Sequence, residues 1–341
     1  MRHFSEKEPL SFILKLSLPC VLRWFVSGSP SKCHGVVYFL IRRILALVAV
    51  LFCVVTVTFF LIRVSPGGPF DAERKLPPAI EKQLLAKYKL DGTLWQQYTG
   101  YLGDLVKGDL RLSTKYRNRS VAEILAQTLP VTITLGLCAF ILATVLGTVI
   151  GVAAAAGRGG PKDFFAMLFA LAAISLPSFL IGPILILVFG IWLGWFPVGG
   201  WGTPQAMVLP AITLAAPYVA YIARLLRGSM IEVLGQDFVR TARAKGLKER
   251  TVLYRHALRV AILPVISFLG PLAAHLLTGS IVVETLFHIP GAGGFFVHSI
   301  LNRDGFLLGG VVIVYCALLV VFNMTVDVLY TVLDRRIRLD G

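Results

Sequence analysis

A chain of 341 residues with 56% hydrophobic and only 15% charged positions departs from the roughly 45–50% and 25% of soluble domains, and its apolar residues come in uncharged blocks rather than amphipathic stripes. That excludes an ordinary soluble domain and leaves a polytopic, all-α membrane protein. The net charge of +15 does not mark a nucleic-acid surface, because the basic residues collect in a few loops between the blocks, the pattern of topogenic charge.

Residues 1–35 form an extension whose apolar positions between 10 and 26 are interrupted by Lys15, Pro19 and Arg23. They fit an interfacial helix or an over-called start ahead of initiation near Val36. Residues 44–62 are an uncharged run of 19 positions behind Arg42 and Arg43, about 28 Å as a helix, and read as a first span starting on the cytoplasmic side. Residues 63–128 are the one long hydrophilic segment. Apolar positions at helical spacing predict helices over 77–90 and 95–106, so the segment reads as a small helical cap. Its eleven Lys and Arg do not fix its side, since long loops translocate largely regardless of charge.

Residues 129–157 predict a second span. Residues 164–223 hold 60 positions without a charge, too many for one helix, and the Gly, Pro and Trp cluster over 194–204 divides them into spans three and four. Residues 260–283 and 305–326 complete a set of six. The loop over 158–163 carries two basic residues, 224–259 carries nine, and the loops near 195–206 and 284–304 carry none and one. Six helices with both termini cytoplasmic satisfy every short loop, and send the 63–128 cap to the extracytoplasmic side. Residues 36–341 then form one transmembrane domain.

No GxxxxGK[ST] phosphate loop, GxSxG elbow or HExxH pair occurs, and the five cysteines form no CxxC pair. No catalytic or metal-binding residue is therefore assigned. Ionisable groups in apolar runs are the default candidates, since a charge at a helix centre costs about 2.5–3.5 kcal/mol. His275 is the deep one. It fits a neutral imidazole bonded to a neighbouring helix or the wall of a polar path. Glu284 lies near a helix end, where water or an adjacent helix can satisfy it. Pro177 and the other prolines of spans three to five are ordinary kinks or backbone openings toward a path.

The basic stretch 236–258 is more specific. Residues 237–245 predict a helix with Phe238 and Ala242 on one side and Arg240 and Arg243 on another; Gly246 ends it in the left-handed region, and a second helix restarts over 247–258. Small residues at Thr241, Ala242 and Ala244 permit close docking. A topogenic basic loop with an amphipathic surface helix is the plainer alternative.

The segment QDFVRTARAKGLKERTVLYRHALRVAILPVI resembles the cytoplasmic coupling loop of bacterial ATP-binding-cassette (ABC) importer permeases, in the form carried by the oligopeptide and dipeptide branch. Gly246 takes the glycine of the wider EAA-x3-G-x9-I-x-L-P pattern, Arg240, Thr241 and Ala242 take EAA, and Leu258 is the retained leucine. Arg240 and Arg259 depart from the glutamate and proline. YFLIRRILALV, SPGGPF, Leu176-Pro177-Ser178-Phe179, VETLFHIPGAGGFFVHSILNRD and FNMTVDVLYTVLDRRIR are similar to the same branch, the last two to its B-type subunit above all. The likeness runs over about residues 37–340, with Gly294 standing where a longer polar or basic residue is usual.

The resemblance implies a bacterial inner-membrane subunit without chemistry of its own. It implies a second permease subunit as heterodimer partner, two ATP-binding subunits that use the ATP, and an extracytoplasmic peptide-binding protein, with no cofactor on this chain. It assigns ATPase coupling to Asp237, Arg240, Thr241, Ala242, Arg243, Ala244, Lys245, Gly246 and Leu258. The ionisable groups and proline read above make His275, Glu284 and Pro177, with Ser178 beside it, the candidates for the translocation path, and Pro290, Gly291 and Gly293 are candidates for an outer loop. The competing class is a self-sufficient channel or proton-coupled carrier, which would want more than one deep ionisable group. Oligopeptides, dipeptides, murein peptides and nickel chelates all remain open as solutes.

Overall fold

Backbone polar groups in a bilayer have no water to bond, so uncharged runs of this length close their hydrogen bonds within helices. The computed structural model describes residues 33–64, 83, 86–116, 118–278 and 281–333. Most of the helix expected over 77–90 lies outside the described residues. Helix α1 runs Cys33–Val64. Helix α2, Leu94–Val106, begins at a capping box in which the Thr93 hydroxyl accepts from Gln96 N–H while the Gln96 side chain accepts from Thr93 N–H.

Helix α3, Val121–Ala156, starts eight residues ahead of the expected 129. The Ser120 hydroxyl caps it by accepting from Glu123 N–H at 3.1 Å, and Pro130 is carried inside the helix. Helices α4, Pro161–Ser175, and α5, Ser178–Leu185 with a π-helical continuation Ile186–Trp192, are bent by 115° across Leu176 and Pro177. Glycines at positive φ (Gly194, Gly200, Gly202) shape the following loop. Thr203 and Pro204 then open α6, Pro204–Leu234. This helix runs on through the basic positions Arg224 and Arg227, which sequence patterning had put in a loop.

Helix α7 is Asp237–Ala244 and α8 is Glu249–Ala261, including a π-helical stretch Val252–Ala257. Helix α9, Leu263–Leu277, leaves α8 at 56°. The expected 284–304 loop instead contains the second half of α10, Ile281–Leu286, and all of α11, Ala292–Leu301. Helix α12 is Gly305–Leu333. Among the described residues four helices are long and apolar enough to cross a membrane, or up to six spans if the bent pairs α4–α5 and α8–α9 each count as one. Among the described residues there is no strand, only one isolated bridge between Leu112 and Ser120.

Residues 51–330 form the larger of two compact units, and residues 1–32 and 334–341, with most of the expected N-terminal extension, lie outside the described residues. Within the larger unit α3 and α6 make the most extensive contact. Gly147 faces Ile222 and Gly151 faces Ala223 so closely that a Cβ on either would overlap the opposing helix. Leu135, Ala139, Ala143, Ile222, Leu226 and Met230 are buried along this seam. A second buried cluster joins Val55 and Phe59 of α1, Tyr98 and Tyr101 of α2, Ile124 of α3, and Phe306 and Leu307 of α12. Large apolar side chains stay exposed elsewhere, among them Phe164, Phe169 and Leu171, which suits a surface facing lipid or a partner subunit. Cys53, Cys138 and Cys316 are free thiols.

Candidate functional site

Helix α7 ends in a Schellman motif. Gly246 has φ +75°; its N–H donates to Arg243 O at 2.9 Å, and Leu247 N–H donates to Ala242 O at 3.4 Å, the paired bonds that close a helix through a left-handed residue. A Cβ at Gly246 would meet open space. Glycine is therefore required here by backbone conformation, not by crowding. Because Leu247 closes the motif and Lys248 is extended, the next helix starts at Glu249 rather than at 247. Arg243 spans the turn with bonds of 2.7 and 3.1 Å to the Glu249 carboxylate.

Val239, not the expected Phe238, shares the inward face with Ala242, three residues on. Both are buried, in one cluster with Val233, Val252 and Ala257. Phe238 is 40% exposed, as are Leu247 at 39% and Tyr254 at 55%. With Arg240, Lys245, Lys248, Arg250 and Arg255, also exposed, they give the corner a basic surface studded with apolar side chains. Asp237 meets Arg240 at 3.5 Å, but both side chains are largely in water, so the pair orders little. Thr241 returns its hydroxyl to Asp237 O. Ala244 is exposed, and Leu258 is half-buried against the core.

The candidate path and outer-loop residues fall in separate places. Pro177 is exposed at the α4–α5 break, where Ser178 opens α5. His275 is exposed on α9 and meets Tyr218 of α6 edge-to-face at 5.8 Å. Among the described residues its imidazole has no hydrogen-bonding partner. Pro264, Ser267 and Pro271 share that exposed side of α9, and Tyr221 of α6 packs on Phe268 with centroids 4.3 Å apart.

Glu284 is 1% exposed. The Thr132 hydroxyl of α3 donates to its Oε1 at 2.7 Å and Gly293 N–H to its Oε2 at 2.9 Å, while the Thr132 hydroxyl accepts from Ala292 N–H at 2.9 Å. A Cβ on Gly291 or Gly293 would fall onto this carboxylate. The glycines beside exposed Pro290 thus make room for Glu284 at the N-terminus of α11, where the helix dipole favours a negative charge. Thr132 carried no sequence signal, being one hydroxyl in an apolar run.

A profile of the family described as binding-protein-dependent transport system inner membrane component matches residues 147–339. The oligopeptide transport system permease protein OppB of Haemophilus influenzae is 45% identical over 302 residues, covering 88% of this chain and 99% of the relative. The dipeptide transport system permease protein DppB of Bacillus subtilis is 43% identical over 301 residues, covering 88% and 98%. A chain of the inward-facing MetNI methionine ABC transporter shares the fold at TM-score 0.53 and 15% identity, over 62% of this chain and 97% of that one. With more than half its length inside the family profile and a relative this similar end to end, the chain belongs to the inner-membrane permease components of binding-protein-dependent ABC transport systems.

Proposed function

We propose that this chain is the B-type permease subunit of an ATP-driven peptide importer, with six spans, both termini in the cytoplasm and the 63–128 cap on the outside. It contributes half of a translocation path and no chemistry; a second permease, two ATP-binding subunits and an extracytoplasmic binding protein complete the machine. The relatives named as oligopeptide and dipeptide permeases support the solute class. Membership of a binding-protein-dependent family speaks against a self-sufficient channel or carrier.

The observation that carries the coupling role is the glycine-closed corner. A Schellman turn fixes the angle between α7 and the following chain, and the Arg243–Glu249 pair braces it. Below, Val239 and Ala242 join it to the buried cluster. A push on exposed Phe238, Leu247 and Tyr254 therefore reaches α8, and through the bend at Ile262 it reaches α9, whose exposed face bears Ser267 and His275. That face, with Tyr218 and Tyr221, is the proposed path wall; Glu284 instead braces the outer loop from within.

Gly246→Val tests this. A β-branched residue at φ +75° is strained by about 1–2 kcal/mol or more, yet the site is open, so membrane insertion should survive. Membrane levels should match wild type, while ATPase retention on pull-down and peptide uptake per ATP both fall. Gly246→Asn, which tolerates the left-handed state better, should lose less. Wild-type values for Gly246→Val in both assays would refute the coupling role.

A further inference from the structure

A cavity of about 240 Å³ lies between the end of α1, the start of α12 and the cap. Its lining includes apolar Phe59, Ile62 and Leu308 and polar Arg63, Arg303 and Thr114. Arg63 Nε and Thr114 Oγ1 are buried without a hydrogen-bonding partner. Behind the wall Arg111 is 7% exposed, with its guanidinium carbon 5.5 Å from the Tyr101 ring and 5.3 Å from the Phe306 ring, both of which line the cavity. Only its Nε is paired, with Asp104 at 2.8 Å; Nη1 and Nη2 are buried and unpartnered. Arg63 lies near enough to Arg111 for their charges to repel.

Buried donors without acceptors cost free energy, and Arg63 and Thr114, which carry two of these atoms, also line the cavity. The carboxylates close by are committed. Asp104 is shared between Lys89 and Arg111; Asp304 takes the Ser113 hydroxyl and the N–H groups of Thr114, Lys115 and Leu307. The cavity lining thus offers guanidinium and hydroxyl groups and, among the described residues, no carboxylate. Beyond its mouth the surface is apolar: Leu61 is 65%, Val64 80%, Ile300 50% and Leu301 72% exposed.

We propose that this cavity binds the phosphodiester headgroup of an outer-leaflet phospholipid, with Arg63, Arg303 and Thr114 on the phosphate and the acyl chains lying along Leu61 and Ile300. The choice of leaflet rests on the orientation proposed above. Guanidinium forks match phosphate oxygens, and cationic pockets between helix ends are the chemistry of headgroup recognition. The volume is below the roughly 300–1,000 Å³ of sites for drug-sized ligands, which suits a headgroup and is too small for a peptide of several residues. Lipid bound here would tie α1, the cap and α12 together at the bilayer surface.

Native mass spectrometry of the full chain in mild detergent tests it, with phosphatidylglycerol as probe. One adduct should survive delipidation and bind roughly tenfold or more weakly in Arg63→Gln/Arg303→Gln, since each substitution removes a charge-assisted bond. Lys107→Gln, exposed elsewhere on the cap, should change nothing. Diacylglycerol of the same chain length should not compete, and millimolar inorganic phosphate should compete only weakly. An undiminished adduct in the double variant overturns the proposal, as does equal competition by diacylglycerol. Phosphate binding as tightly as the lipid would make it a free-anion site, and displacement by trialanine would make it part of the solute path; either overturns it. Should the double variant fail to fold, Thr114→Val keeps charge and shape, and must weaken the adduct without altering lipid-free melting. Thiol labelling at Gln205 decides the leaflet separately, so failure of the orientation and failure of lipid binding read out independently.

Discussion

Glu284 shows how one buried carboxylate sets the identity of its neighbours. Its oxygens are met by Thr132 and Gly293, and Thr132 is in turn held by Ala292 N–H. Thr132→Val keeps the shape but leaves an oxygen of Glu284 and an N–H of the loop unpartnered, which should cost about 2–4 kcal/mol. Thr132→Ser should restore most of the lost melting temperature. If serine rescues no better than valine, the hydroxyl is not what holds the loop. Glu284 itself was visible in the sequence as an acid at the end of an apolar run. Its partner lies 152 positions away, and no local pattern marks which of many hydroxyls will face it. The inward role of Val239 was equally hidden, because Phe238 is the larger apolar side chain and a one-residue shift on an eight-residue helix leaves the pattern plausible either way.

Among the elements, the cap joint at α2 has its own electrostatics. Burial works to raise the Asp104 pKa, but hydrogen bonds from Lys89 and Arg111 outweigh it and hold the carboxyl below its ordinary value. A depressed carboxylate pKa adds stability that is present above the unfolded value of about 3.9 and is lost as pH falls through the folded one. Hydrogen-exchange protection of α2 should therefore hold down to about pH 4 and drop below it. Asp104→Asn should be weaker at neutral pH, by about 3 kcal/mol since it strands buried Arg111, and should lose that acid-dependent step; the same step in the variant would assign it to another group. Burial pushes Tyr101 beneath Arg111 up to about 12, so the ring stays neutral throughout. Ser120 followed by Glu123 has the capping-box spacing, a start signal that the hydropathy pattern overrode, since the polar first turns drew the predicted start of α3 to 129. Helices α10 and α11 went unread because six and ten residues are too short to display a period beside glycines that look like loop.

For the whole molecule, uncharged runs made the all-helical membrane class plain from composition. The break at Pro177 was less plain, since a proline inside an apolar run signals a kink without its angle. The sidedness proposed from the basic loops is open to test. In a cysteine-free background, Gln205→Cys should react with an impermeant thiol reagent from the outside and Lys248→Cys only from the inside; both positions are exposed. Reaction of both from one face would overturn the six-span arrangement.

Helix α3 carries a mechanical consequence. Its 36 residues make a rod of about 54 Å, nearly twice the roughly 30 Å of a bilayer core. One end stands beside the short turn at Gly157 and the other at the cap, with α6 pressed along its length. Such a rod is a lever: a tilt of about 10° about one end carries the other through roughly 9 Å. Motion at one membrane face then arrives at the other in a single rigid step, with no chain of side-chain rearrangements between them.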